Sequence, residues 1–390
     1  MKITENIYWV GAVDWDIRNF HGYSTPRGSS YNAYLIIDDK ITLIDGVKEK
    51  FSEEMFDRIR GIIDPARIDY IVSNHAEMDH SGSFPALLEI APAAEIITSV
   101  NGEKNLKRHF KKNWKFKVVK SGETLSIGKR TLSFIHTPML HWPDNMVTYS
   151  AQDKILFSND AFGQHIASAE RYDYEIGRQS VCADAQKYYA NILMPFSGQV
   201  RKTLPAVSAL PLEMICPSHG VIWKKFKGTI IKDYGAWSAG AGEKKAVIVY
   251  DTMWGSTKKM ALALEKGISS AGIPVTMRSL KASHISDVMS DILTARLVLI
   301  GSPTLNNGEL PSIGAFLTYM KGLKPLRKAG FAFGSYGWAG KAAVIIESLM
   351  KEMGWDVPEK NVNVNFVPDE NELNELVDTG RKLGEMIEKE

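Results

Sequence analysis

The sequence predicts an α/β protein of two domains. In its last third, apolar runs typical of buried strands alternate with helical patterns and occupy residues 246–250, 296–301 and 330–334. Strands and helices in this alternation predict a doubly wound parallel sheet. Small and polar residues at 237–245 predict a boundary, so that residues 1–242 form one domain and residues 243–390 the other. A chain of 390 residues is long enough to build a core in each.

The first domain alternates short apolar runs with turns and helical patterns. Residues 34–37 and 41–44 flank a polar turn and predict a hairpin, whereas residues 53–63 space their apolar side chains as a helix. Further strands are predicted at 68–73, 95–98, 116–119, 131–135, 146–149 and 155–157, and further helices at 84–90 and 104–112. The lysines of the 104–112 helix predict a solvated face or a docking surface for an acidic electron carrier.

Composition excludes several classes of function. The 47 basic and 45 acidic residues give a net charge of +2, too balanced to indicate nucleic acid or an anionic membrane as a partner. The amino terminus has no apolar segment and no run reaches the length of a membrane span, so we expect a cytoplasmic protein. Two cysteines, Cys182 and Cys216, are expected to be reduced.

Four potential metal ligands fall within six residues directly after the 68–73 run. They are His75, Glu77, Asp79 and His80. Because they follow a predicted strand, they are expected on the loop at its carboxyl end, where α/β proteins gather their sites. A polar surface loop would explain this stretch equally well if no other part of the chain supplied ligands.

Three more candidate ligands follow strand-like runs further along the chain. They are His141, Asp160 and His219, whereas His136 is interpreted as a supporting or core residue. Imidazole and carboxylate without thiolate exclude cysteine-rich zinc and iron–sulfur sites. Seven ligands exceed the needs of one tetrahedral ion, so two metals are expected, with Asp160 as the natural bridge because its two oxygens can reach both.

The spacing His-x-Glu-x-Asp-His, followed by a distant His, Asp and His, resembles the metallo-β-lactamase fold, an αββα sandwich. Hydrolytic members of that fold usually have His where this chain has Glu77, and a carboxylate there favours iron over zinc. With Glu77 at this position, the chain as a whole resembles the flavodiiron proteins. That resemblance implies one iron on His75, Glu77 and His141, a second on Asp79, His80 and His219, and Asp160 between them; the histidine at position 80 does not bind iron in every member.

The second domain begins with a loop suited to a phosphate. Thr252, Met253, Trp254, Gly255, Ser256 and Thr257 follow the first strand and lead into a helical pattern at 258–271. Hydroxyls and backbone N–H groups at a helix amino terminus bind phosphate without the lysine of a Walker loop. The loop resembles the FMN phosphate loop of flavodoxins. A polar turn that caps the helix is the other interpretation.

Two later loops favour the flavin. Both follow predicted strands, contain glycines that let the backbone approach a ring, and comprise the candidates Ser302, Pro303, Thr304 and Asn306, then Ser335, Tyr336, Gly337, Trp338, Ala339 and Gly340. The indole of Trp338 offers a stacking face. The resemblance to flavodiiron proteins, with a flavodoxin-like carboxyl-terminal domain, therefore covers the whole chain.

The resemblance implies a reductase of O2, NO or both, which would protect against oxidative or nitrosative stress. Reduced FMN supplies two electrons and a diferrous pair two more, which together reduce O2 to water, whereas two NO molecules need two electrons to become N2O. His21, Tyr23 and Trp142 are candidate pocket residues. Because the chain ends without rubredoxin-like Cys-x-x-Cys pairs, the donor is expected to be a separate rubredoxin-like protein or a reduced deazaflavin.

The family places the FMN of one subunit against the irons of another in a head-to-tail homodimer, alone or as a dimer of dimers, and we expect the same here. Two other functions are compatible with parts of the sequence. One is a metallo-hydrolase with an appended flavodoxin domain, which would bind zinc. The other is a non-catalytic electron-transfer flavoprotein whose first domain serves only for dimerisation.

Overall fold

The computed structural model describes residues 1–389 and divides into two compact units. The first comprises Met1–Tyr189 and Phe196–Gly235, and the second comprises Ala190–Pro195 and the chain from Ala236 onward. Both cysteines are free thiols. Among the described residues, no helix combines the length and apolar character that a bilayer crossing requires.

The first unit contains sixteen strands. They are β1 (Lys2–Thr4), β2 (Ile7–Trp9), β3 (Ala12–Asp14), β4 (Asn19–Phe20), β5 (Tyr23–Ser24), β6 (Ser29–Tyr31), β7 (Tyr34–Ile36), β8 (Thr42–Ile44), β9 (Tyr70–Val72), β10 (Glu95–Thr98), β11 (Phe116–Val118), β12 (Thr124–Ser126), β13 (Thr131–His136), β14 (Met146–Ser150), β15 (Ile155–Asn159) and β16 (Met214–Pro217). A seven-stranded sheet has the order β1-β2-β7-β8-β9-β10-β11, and a five-stranded sheet runs β12 to β16 in sequence. The pairs β3–β6 and β4–β5 are small separate ribbons.

The helices of this part of the chain lie between and after those strands. They are α1 (Ser52–Arg60), α2 (Met78–Ser81), α3 (Phe84–Ile90), α4 (Val100–Phe110), α5 (Asp173–Ile176), α6 (Arg178–Tyr188), α7 (Ser197–Ser208) and α8 (Lys227–Ala239), with 3-10 turns at Glu49–Phe51, Pro65–Arg67 and Met194–Phe196 and a π-helical turn at Tyr189–Leu193.

Alternating side chains divide the core of the first unit into two layers. In β7, Leu35 packs with α1 and α3 on one face of the seven-stranded sheet, whereas Tyr34 and Ile36 point into a core shared with the five-stranded sheet. Phe134 and Phe157 enter that shared core from the other sheet. Because successive residues of a strand face opposite ways, a strand buried on both sides needs a continuous apolar run. The two packed sheets therefore confirm the predicted sandwich.

The second unit is a doubly wound sheet of five parallel strands. Its strands are β17 (Glu243–Tyr250), β18 (Val275–Ser279), β19 (Ala295–Gly301), β20 (Ala329–Tyr336) and β21 (Val362–Asn365), in the order β18-β17-β19-β20-β21. Its helices are α9 (Ser256–Ser270), α10 (Ile285–Thr294), α11 (Pro311–Leu323), α12 (Ala342–Glu352) and α13 (Glu370–Lys389). This order reverses direction beside β17, which confirms the predicted class and places a ligand site at the carboxyl ends of the central strands.

The predicted boundary at 237–245 contains only a short loop. Helix α8 continues to Ala239 and β17 begins at Glu243, so that only residues 240–242 lie between them. Gly240 has a φ of 69°, the left-handed conformation in which a glycine ends a helix. The polar residues that follow form the exposed start of a strand, which explains why their composition resembled that of a linker.

Candidate functional site

The seven ligand candidates of the first unit converge at the ends of four strands. Four of them follow β9, His141 lies between β13 and β14, Asp160 directly follows β15, and His219 follows β16. The sequence predicted a loop for Asp79 and His80, but they lie in the single helical turn α2, for which Glu77 is the N-cap residue. Both are buried, so the alternative of a polar surface loop is wrong.

Three of the candidates form one group around a common point. The Nε2 atoms of His75 and His141 lie 3.3 and 3.2 Å from Oε2 of Glu77. Oδ2 of Asp160 lies 3.8 Å from Nε2 of His75 and 3.7 Å from that of His141. The group therefore offers two imidazole nitrogens and two carboxylate oxygens.

A second group lies on the other side of the same aspartate. Nε2 of His80 is 3.4 Å from Oδ1 of Asp79, and Nε2 of His219 is 3.2 Å from its Oδ2. Oδ1 of Asp160 is 3.2 Å from Nε2 of His80 and 3.4 Å from that of His219. Asp160 thus turns one oxygen to each group.

These separations fit metal coordination. Ligand atoms about 2.1 Å from an ion lie roughly 3.0–3.4 Å apart at octahedral or tetrahedral angles. Within each group the atoms all lie within 4.8 Å of one another. In addition, Oδ1 of Asp79 and Oδ2 of Asp160 are buried and have no hydrogen-bond partner. Buried carboxylate oxygens without donors are costly, and a cation would satisfy them.

The charges of the two groups are mutually supporting. Burial favours the neutral acids, but the neighbouring imidazoles hold the pKa values of Glu77, Asp79 and Asp160 below their usual range. Burial also opposes protonation of His219, yet the hydrogen bonds that its ring donates to the carboxylates of Asp160 and Asp79 raise its pKa to about 10. An incoming metal ion would take the place of protons on such imidazoles.

Hydrogen bonds outside the groups orient two of the histidines. His75 Nδ1–H donates to Oδ2 of Asp144 at 2.9 Å, and His219 Nδ1–H donates to the carbonyl of Ser30 at 2.7 Å. Since both acceptors can only accept, each Nε2 retains its lone pair for a metal. Nδ1 of His80 is buried and has no hydrogen-bond partner, so this ring is held less firmly than the other two.

Three polar residues that support the site were not predicted from the sequence: Asp144, Asp45 and Tyr188. Asp144 accepts hydrogen bonds from His75, from the Ala76 N–H at 2.7 Å and from Asn105 Nδ2 at 3.0 Å. Asp45 accepts from both the N–H and the side-chain amide of Asn74, at the start of the first ligand loop.

The Tyr188 hydroxyl donates to Oδ1 of Asp160 at 3.0 Å. A polar residue at a strand end, such as Asp45 after β8, is the one local signal that sequence alone could have used.

The Glu77 side of the site is the more exposed one. The side chains of Glu77 and His141 are 16% and 19% exposed, against at most 3% for the other five candidates. His21 forms the tip of the β4–β5 hairpin, with its Nε2 3.6 Å from Oε1 of Glu77. A small molecule would therefore reach the site beside this hairpin.

The other candidate pocket residues lie at different depths. Trp142 meets the His75 ring edge-on at 4.9 Å, and Tyr23 packs edge-on against His165 at 5.1 Å. His136 ends β13 and bonds through Nε2 to the carbonyl of Val119 at 3.0 Å. It is therefore a structural residue.

A cavity of about 630 Å³ lies at the carboxyl ends of the central strands of the second unit. Twelve of the predicted flavin residues line it: Thr252, Met253, Trp254, Ser256, Pro303, Thr304, Asn306, Ser335, Tyr336, Gly337, Trp338 and Ala339. The indoles of Trp254 and Trp338 are 96% and 93% exposed. A large apolar ring in this cavity would cover them.

Four predicted residues support the cavity without lining it. Thr257 bonds to the Ser335 hydroxyl at 3.2 Å, and the Ser302 hydroxyl accepts from the Leu310 N–H at 3.0 Å. Gly340 packs against Tyr336, where a Cβ would lie 3.0 Å from the ring. Gly255 has a φ of 95° and turns the chain into α9.

The amino terminus of α9 fits a phosphate. Its N-cap residue is Gly255, which has no side chain to cap the first-turn N–H groups. The Thr252 hydroxyl already accepts from the Gly255 N–H at 3.0 Å, which shapes the loop. Uncapped N–H groups at a helix amino terminus form an anion site. The interpretation of this loop as a helix cap made by its own hydroxyls is therefore the weaker one.

The cavity also has a wall that the sequence did not indicate. Leu305, Asn307, Phe366 and Val367 line it as well. Phe366 has a φ of 55°, is 64% exposed and follows the last strand, β21. No local sequence pattern distinguishes Phe366 and Val367 from the residues of an ordinary loop after an edge strand.

Comparison with known families follows the two units. Residues 30–220 match the family described as ODP family beta lactamase, and residues 248–380 match the flavodoxin family. The nitric oxide reductase of Moorella thermoacetica is 46% identical over 393 residues, covering 99% of this chain and 98% of that protein.

Solved structures agree over the full length. The rubredoxin oxygen:oxidoreductase from the anaerobe Desulfovibrio gigas superposes with a TM-score of 0.97 and 42% identity, covering 100% of this chain and 98% of that one. The flavodiiron protein from Giardia intestinalis has a TM-score of 0.97 and 38% identity, with coverage of 100% and 96%.

Proposed function

This chain belongs to the flavodiiron protein family, and we propose that it reduces O2 to water, NO to N2O, or both, with electrons that FMN relays from an external donor. The observation that carries the proposal is Asp160, whose two carboxylate oxygens face two separate groups of ligand atoms. A hydrolase could use the same fold, but Glu77 supplies a carboxylate where an imidazole would favour zinc.

We assign the metal ligands as the sequence predicted them. His75, Glu77 and His141 would hold one iron, and Asp79, His80 and His219 would hold the other. Asp160 would offer one carboxylate oxygen to each. When bound, the two irons and FMN supply electron storage and adjacent positions for a diatomic gas. His80 completes the second set, although its Nδ1 lacks the orienting acceptor that His75 and His219 have.

The chain's own residues orient the site and control access to it. Tyr188 donates to Asp160 and fixes the rotation of that carboxylate. Five of the seven ligand side chains are buried, which keeps bulk water from most of the site. His21, at the hairpin tip, places its Nε2 beside Glu77 near the open side. The gas therefore enters, and product water leaves, where this imidazole lies.

For the flavin, we assign the phosphate to the α9 amino terminus and the ring to the cavity between Trp254 and Trp338. Thr252 and Ser256, which line the cavity, offer hydroxyls to the phosphate, and Thr257 supports the loop through its bond to Ser335. Phe366 adds an apolar wall.

We also propose a head-to-tail homodimer in which the FMN of one subunit faces the irons of the other. The rim of the cavity exposes a contiguous set of large apolar side chains, Met253, Trp254, Trp338, Phe366 and Val367. In the first unit, Met78 beside Glu77 is also 48% exposed. Apolar patches of this kind mark interfaces. Full turnover by a monomer, in sedimentation and activity measurements over a dilution series, would contradict the dimer.

The donor is proposed to be a separate rubredoxin-like protein or a reduced deazaflavin. A relative from Megalodesulfovibrio gigas that is 44% identical is called rubredoxin-oxygen oxidoreductase.

The variant Asp160→Ala tests the assignment of function. We expect iron to fall from two per chain to one or fewer and gas reduction to be lost, while FMN stays bound. Asp173→Ala is the matched control, because Asp173 is equally buried but accepts from the backbone N–H groups of Lys224, Lys225 and Phe226. If Asp160→Ala keeps both irons and the wild-type rate, or if the native protein contains zinc and hydrolyses esters or amides, the proposal fails.

A further inference from the structure

The outer face of α4 carries a concentrated positive charge. Lys104, Lys107 and Arg108 are spaced at i, i+3 and i+4, which aligns them on one side of the helix. Lys111 is the C-cap residue that follows them, and all four are exposed. Between residues 100 and 120 there are eight Lys or Arg residues and one acid, Glu103. The whole chain has a net charge of only +2, so this surface is a strong local excess.

Most of this charge is unpaired within the chain. Lys107 bonds to Glu103 at 2.7 Å. Lys104, Arg108 and Lys111 have no carboxylate oxygen within 4.0 Å among residues 1–389. Unpaired cations at this density repel each other, and an acidic partner would relieve that repulsion.

A neighbouring stripe of α4 bonds to the loop that carries His141. Asn101 donates to the Pro143 carbonyl at 3.2 Å, and Asn105 donates to Asp144 at 3.0 Å. One turn further, the exposed His109 ring stacks on Trp142, with centroids 6.3 Å apart and planes at 17°. The basic face is therefore rigidly coupled to the ligand loop.

Aromatic contacts continue from this stripe to the metal ligands. Trp142 contacts the rings of His75 at 4.9 Å and His141 at 6.0 Å. Consecutive rings thus connect the exposed His109 to two ligand side chains. The basic residues and the first ring of this series of contacts thus lie on the same helix.

We propose that the basic face, formed by Lys104, Lys107, Arg108 and Lys111, docks an acidic one-electron carrier protein. The inference rests on the proposed function, because it identifies where that function receives its electrons. In the proposed head-to-tail dimer the partner subunit's FMN lies against these irons, so a carrier docked on this face reaches that flavin. In each encounter the carrier is oxidised by one electron and the flavin is reduced by one. Four encounters supply one O2, and two supply a pair of NO molecules. The position of this face beside the metal ligands favours a redox protein over nucleic acid as the acidic partner.

The triple variant Lys104→Glu/Arg108→Glu/Lys111→Glu tests the docking face. An acidic rubredoxin serves as the probe, first oxidised, so that its affinity is measured by calorimetry without turnover. At low salt we expect the triple variant to bind at least tenfold more weakly and to lose most of its salt dependence. The control Lys266→Glu/Lys324→Glu/Lys382→Glu changes the net charge equally at exposed positions of the second unit and should bind within twofold of wild type.

A second reductant separates this inference from the proposed function. Gas reduction driven by a light-reduced, uncharged deazaflavin should be unchanged in the triple variant, whereas rubredoxin-driven turnover should fall at least tenfold. Wild-type rubredoxin affinity in the triple variant would overturn the docking face, as would a loss confined to binding of a DNA duplex. Absence of gas reduction by the wild type with either reductant would instead refute the proposed function.

Discussion

Replacing Asp144 tests whether a residue that touches no metal controls the metal site. Its carboxylate is fully buried and accepts three hydrogen bonds, from the His75 ring, the Ala76 N–H and the Asn105 amide. In Asp144→Ala, His75 loses the acceptor that keeps the proton on Nδ1. The ring can then rotate or place its proton on Nε2, which removes the lone pair required for iron.

The size of the effect follows from those contacts. Loss of a partner that orients a ligating histidine typically costs 10–100-fold in metal affinity, about 1.4–2.7 kcal/mol. Leaving buried donors unpaired costs a further 1–3 kcal/mol or so of folding stability each. We therefore expect about tenfold or weaker iron binding together with a measurably lower unfolding free energy.

The assay compares iron affinity, from competition with a chelator, and urea unfolding for Asp144→Ala and Asp173→Ala. Both aspartates are buried and accept three hydrogen bonds. Both variants should lose stability, but only Asp144→Ala should lose iron affinity. Equal iron affinity in the two variants would refute the role assigned to Asp144.

Three further changes probe separate parts of the molecule. Glu77→His should raise bound zinc and lower both bound iron and the gas-reduction rate, since an imidazole replaces a carboxylate. Metal content is measured by mass spectrometry, and unchanged iron content together with an unchanged rate would contradict this expectation. Trp338→Ala should weaken FMN about three- to tenfold, measured by fluorescence, and leave iron content unaltered because the indole is exposed; parallel loss of both would indicate unfolding. Burial lowers the pKa of Lys328 from 10.5 to about 7. Between those pH values the unfolded chain binds the proton that the folded protein lacks, so the unfolding free energy gains about 2 kcal/mol from pH 7 to pH 9. Urea titrations of Lys328→Met should show no such gain between pH 7 and pH 9. If the unfolding free energy of the variant rises with pH as steeply as that of the wild type, Lys328 is not the group responsible.

The sequence predicted those features of the fold and the site that depend on residues close to one another along the chain. The apolar runs of β9, β15 and β17 predicted strands, because strands buried on both faces need uninterrupted apolar residues. The ligand candidates were found because polar residues at strand ends interrupt that pattern. Local pattern also accounts for the loops after β19 and β20, although Ser335 and Tyr336 lie within β20 itself.

The remainder depends on contacts between distant segments. Asp144 bonds to His75, 69 residues away, and no periodicity signals that pair. Helix α2 is a single turn, too short to show a helical period. Phe366 reaches the flavin cavity because β21 pairs with β20, a fact of sheet order rather than of local sequence.

Joint reduction of the gas by two irons and FMN is the reaction that we propose for this protein. It is tested most directly by mixing fully reduced, iron- and FMN-loaded protein anaerobically with a known amount of O2 or NO in a stopped-flow instrument and counting the products. We expect one O2 to be consumed for every four electrons without hydrogen peroxide, and one N2O to form from every two NO. Flavin oxidation that proceeds equally fast in protein stripped of iron, or O2 recovered as peroxide, would contradict the account.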